Sequence, residues 1–185
     1  MDIITAFGLS ASAGLNAYIP LLVVAFVARF TDLIILSSRW DTLTSWWVIG
    51  ILILLSVIEF FADKLPAINH INDIIQSFVR PAAGAIVFAA STNSMEVSPT
   101  LMMVAGLLVA GSVHTVKSVA VRPALTAATA GTANIPVSIL EDFLSTLFSI
   151  LAIIIPVFLA SLIIIATAAI IWWLWRKKQQ KLLVQ

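Results

Sequence analysis

The sequence predicts an all-α, polytopic integral membrane protein. Hydrophobic residues make up 61% of the 185 residues, only 10% are charged, and the mean hydropathy is +1.10. Most of the charges gather within 29–41, 59–80, 117–122, 141–142 and 176–181, with long uncharged segments between them. Because a helix needs about 20 apolar residues to cross the hydrocarbon core, we expect five to six transmembrane helices and no soluble domain.

The composition also excludes several other classes of protein. The net charge is only +1, and the basic residues form no stripe with aromatic residues, so we expect no nucleic-acid partner. The chain has no cysteine and two histidines, which makes a metal site or a metal cofactor unexpected. It contains none of the common nucleophile, zinc-protease or nucleotide-binding motifs, so we predict that it is not an enzyme.

The uncharged segments place the membrane spans. They cover 3–28, 42–58, 81–92 with or without part of 66–80, 97–116 and 143–175. The last segment is longer than a hydrocarbon core of about 30 Å requires. It must therefore tilt, kink at Pro156 or begin outside the lipid.

The end of the chain predicts its orientation. Trp172, Trp173 and Trp175 form an aromatic belt, and the basic sequence RKKQQK follows directly. By the positive-inside rule, residues 176–185 are a cytoplasmic tail and residues 1–175 a single transmembrane domain. We expect a multi-pass protein of the bacterial inner membrane.

The first span carries polar residues at its middle, in GLNAYIPLL, residues 14–22. Pro20 has no amide hydrogen to donate to the carbonyl of Asn16, so that carbonyl lies beside the Asn16 amide and the Tyr18 phenol. Irregular backbone at membrane depth is tolerated only where protein buries it or water reaches it. Either these groups line a binding site, or this is a kinked packing helix that a neighbour approaches at Gly14 and Ala17.

Two segments have the pattern of amphipathic helices, LPAINHINDIIQSFVRP (65–81) and IPVSILEDFLSTLFS (135–149). In each, apolar residues occupy one helical face and polar residues the other. Each follows a proline closely and carries an acidic residue in its early turns. The apolar faces contain Ile68, Ile71, Ile74, Ile75 and Phe78 in the first segment, and Ile139, Leu140, Phe143, Leu144 and Leu147 in the second.

The two halves of the chain follow a similar order. GLSASAGLNAYIP (8–20) and GLLVAGSVHTVKS (106–118) both begin with Gly-Leu followed by small residues, and each half then has a polar break and an amphipathic segment. This order predicts an inverted repeat, with residues 3–92 as one unit and 97–175 as the other. Chance similarity between two apolar helices is the alternative.

Cations mark the second half, where His114, Lys117 and Arg122 lie among small and apolar residues. A charged side chain at bilayer depth costs at least about 2.5 kcal/mol and faces a cavity or a partner, so these are candidate binding residues together with Asn134. The alternative is an ordinary interfacial loop with snorkelling side chains. Residues 123–135, rich in Ala, Thr and Gly, suggest a broken or re-entrant element.

Five carboxylates accompany these cations: Glu59, Asp63, Asp73, Glu141 and Asp142. Glu59 and Asp63 lie one helical turn apart and therefore share a face. Such acids bind a cation, carry a coupling proton, or pair with Lys117 and Arg122. The spacing alone leaves these roles open.

Three motifs carry a family resemblance. At GLNAYIPLL, DKLPAINHINDIIQSFVRPAAGAI and GTANIPVSILEDF, the chain resembles a family of small bacterial and plastid membrane proteins known as domain of unknown function 4126. The resemblance implies a membrane protein and supplies no activity. The matching positions are Gly14, Asn16, Tyr18, Asp63, Lys64, Pro66, Asp73, Asn134, Pro136, Ser138, Glu141 and Asp142.

These features together predict a transporter or channel-like permease for a small anionic solute. Cations and the N-termini of half-helices both favour negative charge, and His114, Lys117 and Arg122 accompany the break at Asn16. We expect a homodimer, because a chain this small buries little core. One alternative is a flippase or scramblase that handles an anionic lipid headgroup. Another is a structural membrane protein without transport.

Overall fold

The computed structural model describes residues 3–64, 66–92 and 97–182, and in these residues the chain is helical throughout its regular structure. A short 3₁₀ helix, Asp41–Thr44, precedes α3, and a π-helical segment, Val116–Val121, joins α5 to α6. The predicted all-α class is therefore confirmed. The α-helices are α1 (Ile3–Leu15), α2 (Tyr18–Phe30), α3 (Trp46–Ala62), α4 (Pro66–Ser91), α5 (Pro99–Thr115), α6 (Arg122–Thr129) and α7 (Asn134–Leu182).

Three of the described helical stretches are long and apolar enough to cross a membrane, namely Ile71–Ser91, Pro99–Thr129 and Asn134–Pro156. Helices α1, α2 and α3 are apolar as well but shorter. Trp172 and Trp175 are exposed near the end of α7, whereas the Trp173 side chain and residues 183–185 of the predicted tail lie outside the described part. The count of five to six spans and the inverted repeat remain predictions.

The two amphipathic segments each continue as one helix into a stretch long enough to span a membrane, and for residues 66–80 this was one of the two expected alternatives. Helix α4 runs through Pro81, and α7 runs through Pro156. Their polar faces turn inward, where Gln76 and Arg80 are buried, while Phe78 is 77% exposed on the apolar face. A polar face that packs on other helices leaves the apolar face for lipid. The side chains of Ile68 and Asn69 lie outside the described part.

The predicted break in the first span is present between α1 and α2. The Asn16 side-chain oxygen accepts hydrogen bonds from the backbone amides of Tyr18 (3.1 Å) and Ile19 (3.0 Å), so Asn16 begins a new helix. Pro20 lies in the first turn of α2, where an amide hydrogen has no helical acceptor. One buried apolar stripe nevertheless crosses the break, formed by Leu9, Ala13, Ala17, Leu21 and Val24.

Small residues allow α1, α4 and α5 to pack closely. The Ser10 hydroxyl on α1 lies within hydrogen-bond distance of the carbonyls of Gly106 (2.8 Å) and Gly84 (3.2 Å). A methyl group placed on Gly106 would overlap the Gly84 carbonyl and approach the Phe88 Cβ atom to 2.6 Å. Gly14 similarly faces Ala110 and Val113 on α5. Close backbone approach at small residues is the usual way in which membrane helices pack.

The segment 123–135 is more regular than expected. Residues 122–129 form helix α6, which continues from α5 through the π-helical segment without a break. The chain then turns at Ala130 and Gly131, whose φ angles are 51° and 85°, and α7 begins at Asn134. A glycine adopts such a positive φ without strain. A re-entrant path for this segment remains a prediction.

Two glycines give a direct test of the close packing. We expect Gly106→Ala to destabilise the protein by about 1–3 kcal/mol, because the added methyl has no space between α4 and α5. Gly50→Ala is the matched control, since Gly50 in α3 has no atom within 4 Å of the added group. The control should gain up to about 1 kcal/mol from helix propensity. Unfolding in mixed micelles measures both, and equal effects would contradict the packing.

Candidate functional site

Arg80 on α4 is the centre of a buried ion-pair network. Its guanidinium binds the Glu59 Oε1 atom through Nη2 (2.9 Å) and Nε (3.3 Å), and the Asp63 Oδ2 atom through Nη2 (3.4 Å). The Asn72 side chain donates a hydrogen bond to the other Asp63 oxygen. Arg80 is fully buried, so these carboxylates compensate a charge that water does not reach.

His114 lies between Arg80 and Ser77. Its Nδ1 atom is 3.3 Å from Arg80 Nη1, and its Nε2 atom is 3.2 Å from the Ser77 hydroxyl. An arginine only donates, so Nδ1 is the acceptor in this contact. The Ser77 hydroxyl already donates to the Asp73 carbonyl (2.8 Å) and therefore accepts from Nε2. These roles assign His114 as the neutral Nε2–H tautomer.

Glu141 on α7 binds two cations from the other side of the network. Its Oε2 atom is 2.8 Å from Lys117 Nζ and 3.1 Å from Arg122 Nη2. Arg122 also contacts Asp63 Oδ2 at 3.4 Å and Asp73 Oδ1 at 3.5 Å. Arg122 thus connects Asp63, directly after α3, with the carboxylates of α4 and α7.

The π-helical segment explains why two cations five positions apart reach one carboxylate. In an α-helix of 3.6 residues per turn, residues five apart point in different directions. A π turn closes its hydrogen bonds over five residues. Lys117, inside Val116–Val121, and Arg122, directly after it, therefore meet at Glu141. Such turns occur often at functional sites.

The helix break belongs to the same network. Lys117 Nζ donates to the Leu15 carbonyl at the C-terminus of α1 (3.0 Å), where a positive charge is favourable. At the N-terminus of α2, the Asn16 amide donates to Asp142 Oδ1 (2.9 Å), and Lys64 pairs with Asp142 Oδ2 (3.2 Å). A positive side chain therefore lies at the C-terminal end of α1, and a negative side chain lies near the N-terminal end of α2.

Most of the residues predicted from sequence belong to the network, but they line different clefts. One cleft, of about 870 Å³, is lined by Asp63, Asp73, Arg122 and Asn134 among others. His114 lines a second cleft of about 630 Å³ with Ser77, and Lys117 and Glu141 line an apolar groove of about 490 Å³. Asn134 bonds only to Thr126 among the contacts described for its side chain, at 3.2 Å.

Arg80, Lys64, Asn72 and Gln76 belong to this site although the sequence did not single them out as binding residues. The polar face of residues 65–81 was the available signal, because Asn72, Gln76 and Arg80 lie four positions apart. Tyr18 takes a smaller part than expected, with its phenol beside the Gln76 amide. Its backbone amide is the group that the Asn16 side chain binds.

The described part of the chain thus defines an all-α protein with membrane-length helices that pack around a buried network of charges. A family model matches residues 3–177, and the chain belongs to that family, described as domain of unknown function (DUF4126). Comparison with curated proteins and comparison with solved structures each gave no match. The resemblance noted from the three motifs is confirmed.

The burial of Arg80 predicts a large cost for removing it. Arg80→Met removes the cation that Glu59 binds and leaves Asp63 with Arg122 alone, so we expect a loss of about 3–5 kcal/mol of unfolding free energy. Lys64→Met removes a pair whose side chains are each 13% exposed and should cost less, about 1–2 kcal/mol, because Asp142 keeps the hydrogen bond from Asn16. The double variant Arg80→Met with Glu59→Met should recover part of the loss. Unfolding titrations measure all three, and equal costs for both single variants would contradict the network.

Proposed function

We propose that the protein is a transporter or permease for a small solute with an anionic group, which binds in the cleft beside Arg122. The observation that carries this proposal is the meeting of a large cleft with the network at Asp63, Asp73 and Arg122. A scaffold needs no such opening. A transporter needs a polar site that water reaches within an apolar helix bundle.

Within the cleft, Asp73 is the partner that a solute anion would replace. Its side chain is 28% exposed, the largest exposure in the ion-pair network of the described residues. Its contact with Arg122, at 3.5 Å, is also the longest of these pairs. Glu141 and Asp63 continue to hold Arg122 when Asp73 moves away. The exchange of one carboxylate for another leaves the charge balance unchanged.

The helix break supports the same function. Broken helices at membrane depth are typical of transporters, where half-helix ends meet the transported solute or the coupling ion. Here Lys117 binds the last carbonyl of α1, and Asp142 binds the side chain of Asn16 at the start of α2. The break is therefore linked through Lys117 and Glu141 to Arg122 in the cleft, so that a change at Arg122 reaches the end of α1.

The apolar groove favours a second candidate, the movement of an anionic lipid. Leu15, Val113, Val116 and Leu144 line it, with Lys117 and Glu141 among its walls. An acyl chain suits such a lining, and a headgroup phosphate would meet Lys117. Assays in reconstituted vesicles separate the candidates, since lipid exchange without solute flux favours the second.

Variants at the cleft test the transport proposal. We expect Arg122→Gln to reduce uptake of small carboxylate and phosphate anions into vesicles at least about tenfold, the effect of losing one charge-assisted contact. Asp73→Asn should instead raise anion affinity, because it removes the competitor for Arg122. Arg29→Gln is the matched control, since Arg29 stacks on Trp46 away from the cleft.

Two results would contradict the transport proposal. If Arg122→Gln, Asp73→Asn and wild type take up every anion equally, the cleft is not the binding site. If neither solute nor lipid crosses the membrane in folded wild-type protein, the structural role is favoured, in which the paired charges only hold the helices together.

Orientation and assembly complete the proposal, with the tail in the cytoplasm and two copies in the assembly. The absence of cysteine makes single-cysteine labelling straightforward. We expect Ser38→Cys and Gln179→Cys to react with an impermeant thiol reagent only from the cytoplasmic side, by the positive-inside rule. Labelling of either from outside contradicts the orientation, and light scattering of the solubilised protein tests the dimer.

A further inference from the structure

Two buried oxygen atoms beside Arg80 have no hydrogen-bond donor among the described side chains. They are Glu59 Oε2 and Gln76 Oε1, in residues that are 1% and 2% exposed. Both atoms only accept hydrogen bonds, unless a proton is added to the carboxylate. A buried acceptor without a donor is costly, and more so when it carries charge. The remaining partnerless atoms of this kind in the described part are hydroxyls of Ser56, Ser91 and Ser138.

The two oxygen atoms belong to one region of the core. Arg80 binds the other oxygen of Glu59, and Gln76 lies one turn before Arg80 on the same face of α4. The Tyr18 phenol, on α2, lies beside the Gln76 amide and within the electrostatic field of Glu59. Helices α2, α3 and α4 therefore enclose both acceptors.

The charge of the network points to a missing positive charge. The ion pairs among the described residues join five carboxylates to four cations, and His114 is neutral by its hydrogen bonds. The groups that face Glu59 are Arg80, Asp63, Lys117 and Tyr18. One added positive charge makes the network neutral, the favourable state in a low-dielectric interior.

We propose that this charge is a proton, which binds Glu59 at Oε2 and is donated to Gln76 Oε1. A metal ion needs several oxygen ligands, and the described residues contain no group of three or more His, Cys, Asp or Glu that could hold one. A carboxyl proton needs a single acceptor, which Gln76 supplies. The proton comes from water and returns to water, so the step consumes nothing else.

The proton on Glu59 also couples proton binding to solute binding. This step rests on the proposed transport function. Asp63 Oδ2 lies 3.4 Å from Arg80 Nη2 and 3.4 Å from Arg122 Nη2. When Glu59 is neutral, Arg80 is drawn towards Asp63, and the hold of Asp63 on Arg122 weakens. Arg122 then binds a solute anion more tightly. By linkage, the anion favours the proton equally.

Infrared spectroscopy tests the proton site without any solute. We expect the purified wild-type protein in lipid at neutral pH to show the stretching band of a protonated carboxyl, shifted in deuterated water. Glu59→Gln should remove the band. The control Asp142→Asn should leave it, because Asp142 is paired with Lys64 and receives a hydrogen bond from Asn16. Absence of the band in wild type at every pH of the folded protein overturns the proposal.

A second variant keeps Glu59 in place. Gln76→Leu removes the acceptor, so the band should move to the higher frequency of a carboxyl without a hydrogen bond. An unchanged band, or a band that sodium ions displace at constant pH, contradicts the assignment. A band that belongs to Glu59 in a protein that moves no solute supports the proton site and contradicts the transport function alone.

Coupling between the proton and the solute is tested by measuring solute accumulation under a pH gradient. With one proton per solute, an inward gradient of one pH unit should increase accumulation of an anion that uses the cleft about tenfold. Glu59→Gln should lose this stimulation and retain downhill flux. Equal stimulation of wild type and Glu59→Gln would show that Glu59 is not the coupling group.

Discussion

The guanidinium of Arg80 is the constraint on which this structure depends. A fully buried arginine that loses its carboxylates leaves an uncompensated charge in a region of low dielectric. Glu59 and Asp63, from α3 and the residue that follows it, and His114 on α5 must therefore remain around α4. Asp63 extends the constraint to Arg122, and Arg122 extends it to α7 through Glu141. A single buried charge thereby fixes the relative positions of several helices. Contacts between lipid-facing side chains and lipid do not fix these positions.

Two kinds of packing divide the molecule. In the first kind, Ser10, Gly84 and Gly106 bring the backbones of α1, α4 and α5 together without charge. In the second kind, Arg80, Lys117 and Arg122 join the helices through ion pairs with carboxylates. Van der Waals contact at small residues is insensitive to protons and solutes, whereas an ion-pair network responds to both. Helix α4 takes part in both kinds of packing, through Gly84 in the first and through Arg80 in the second.

The break between α1 and α2 is stable because the network supplies its partners. Lys117 binds the last carbonyl of α1, and Asn16 both begins α2 and binds Asp142. Polar backbone groups at the break thus have side-chain partners, since Lys117 from the π-helical segment binds the Leu15 carbonyl and the Asn16 oxygen accepts from the backbone amides that begin α2. Asp142 on α7 in turn accepts a hydrogen bond from the Asn16 side-chain amide. The two ends of the break therefore meet opposite charges, with Lys117 at the end of α1 and Asp142 near the start of α2.

The sequence alone determined the all-α membrane class, the break at Asn16 and the polar faces of residues 65–81 and 135–149, because hydropathy and helical periodicity are local properties. It also identified Lys117, Arg122, Glu141 and Asp63 as residues that need partners, since charge in an apolar segment is costly. Only the tertiary structure decided which partner each residue takes and which of them reach a cleft. Arg80 became central because two separate segments, the end of α3 and the end of α5, meet at it, and no local pattern encodes that meeting. The amphipathic segments became parts of long helices for the same reason, since the polar face finds its partners in other helices, not in water.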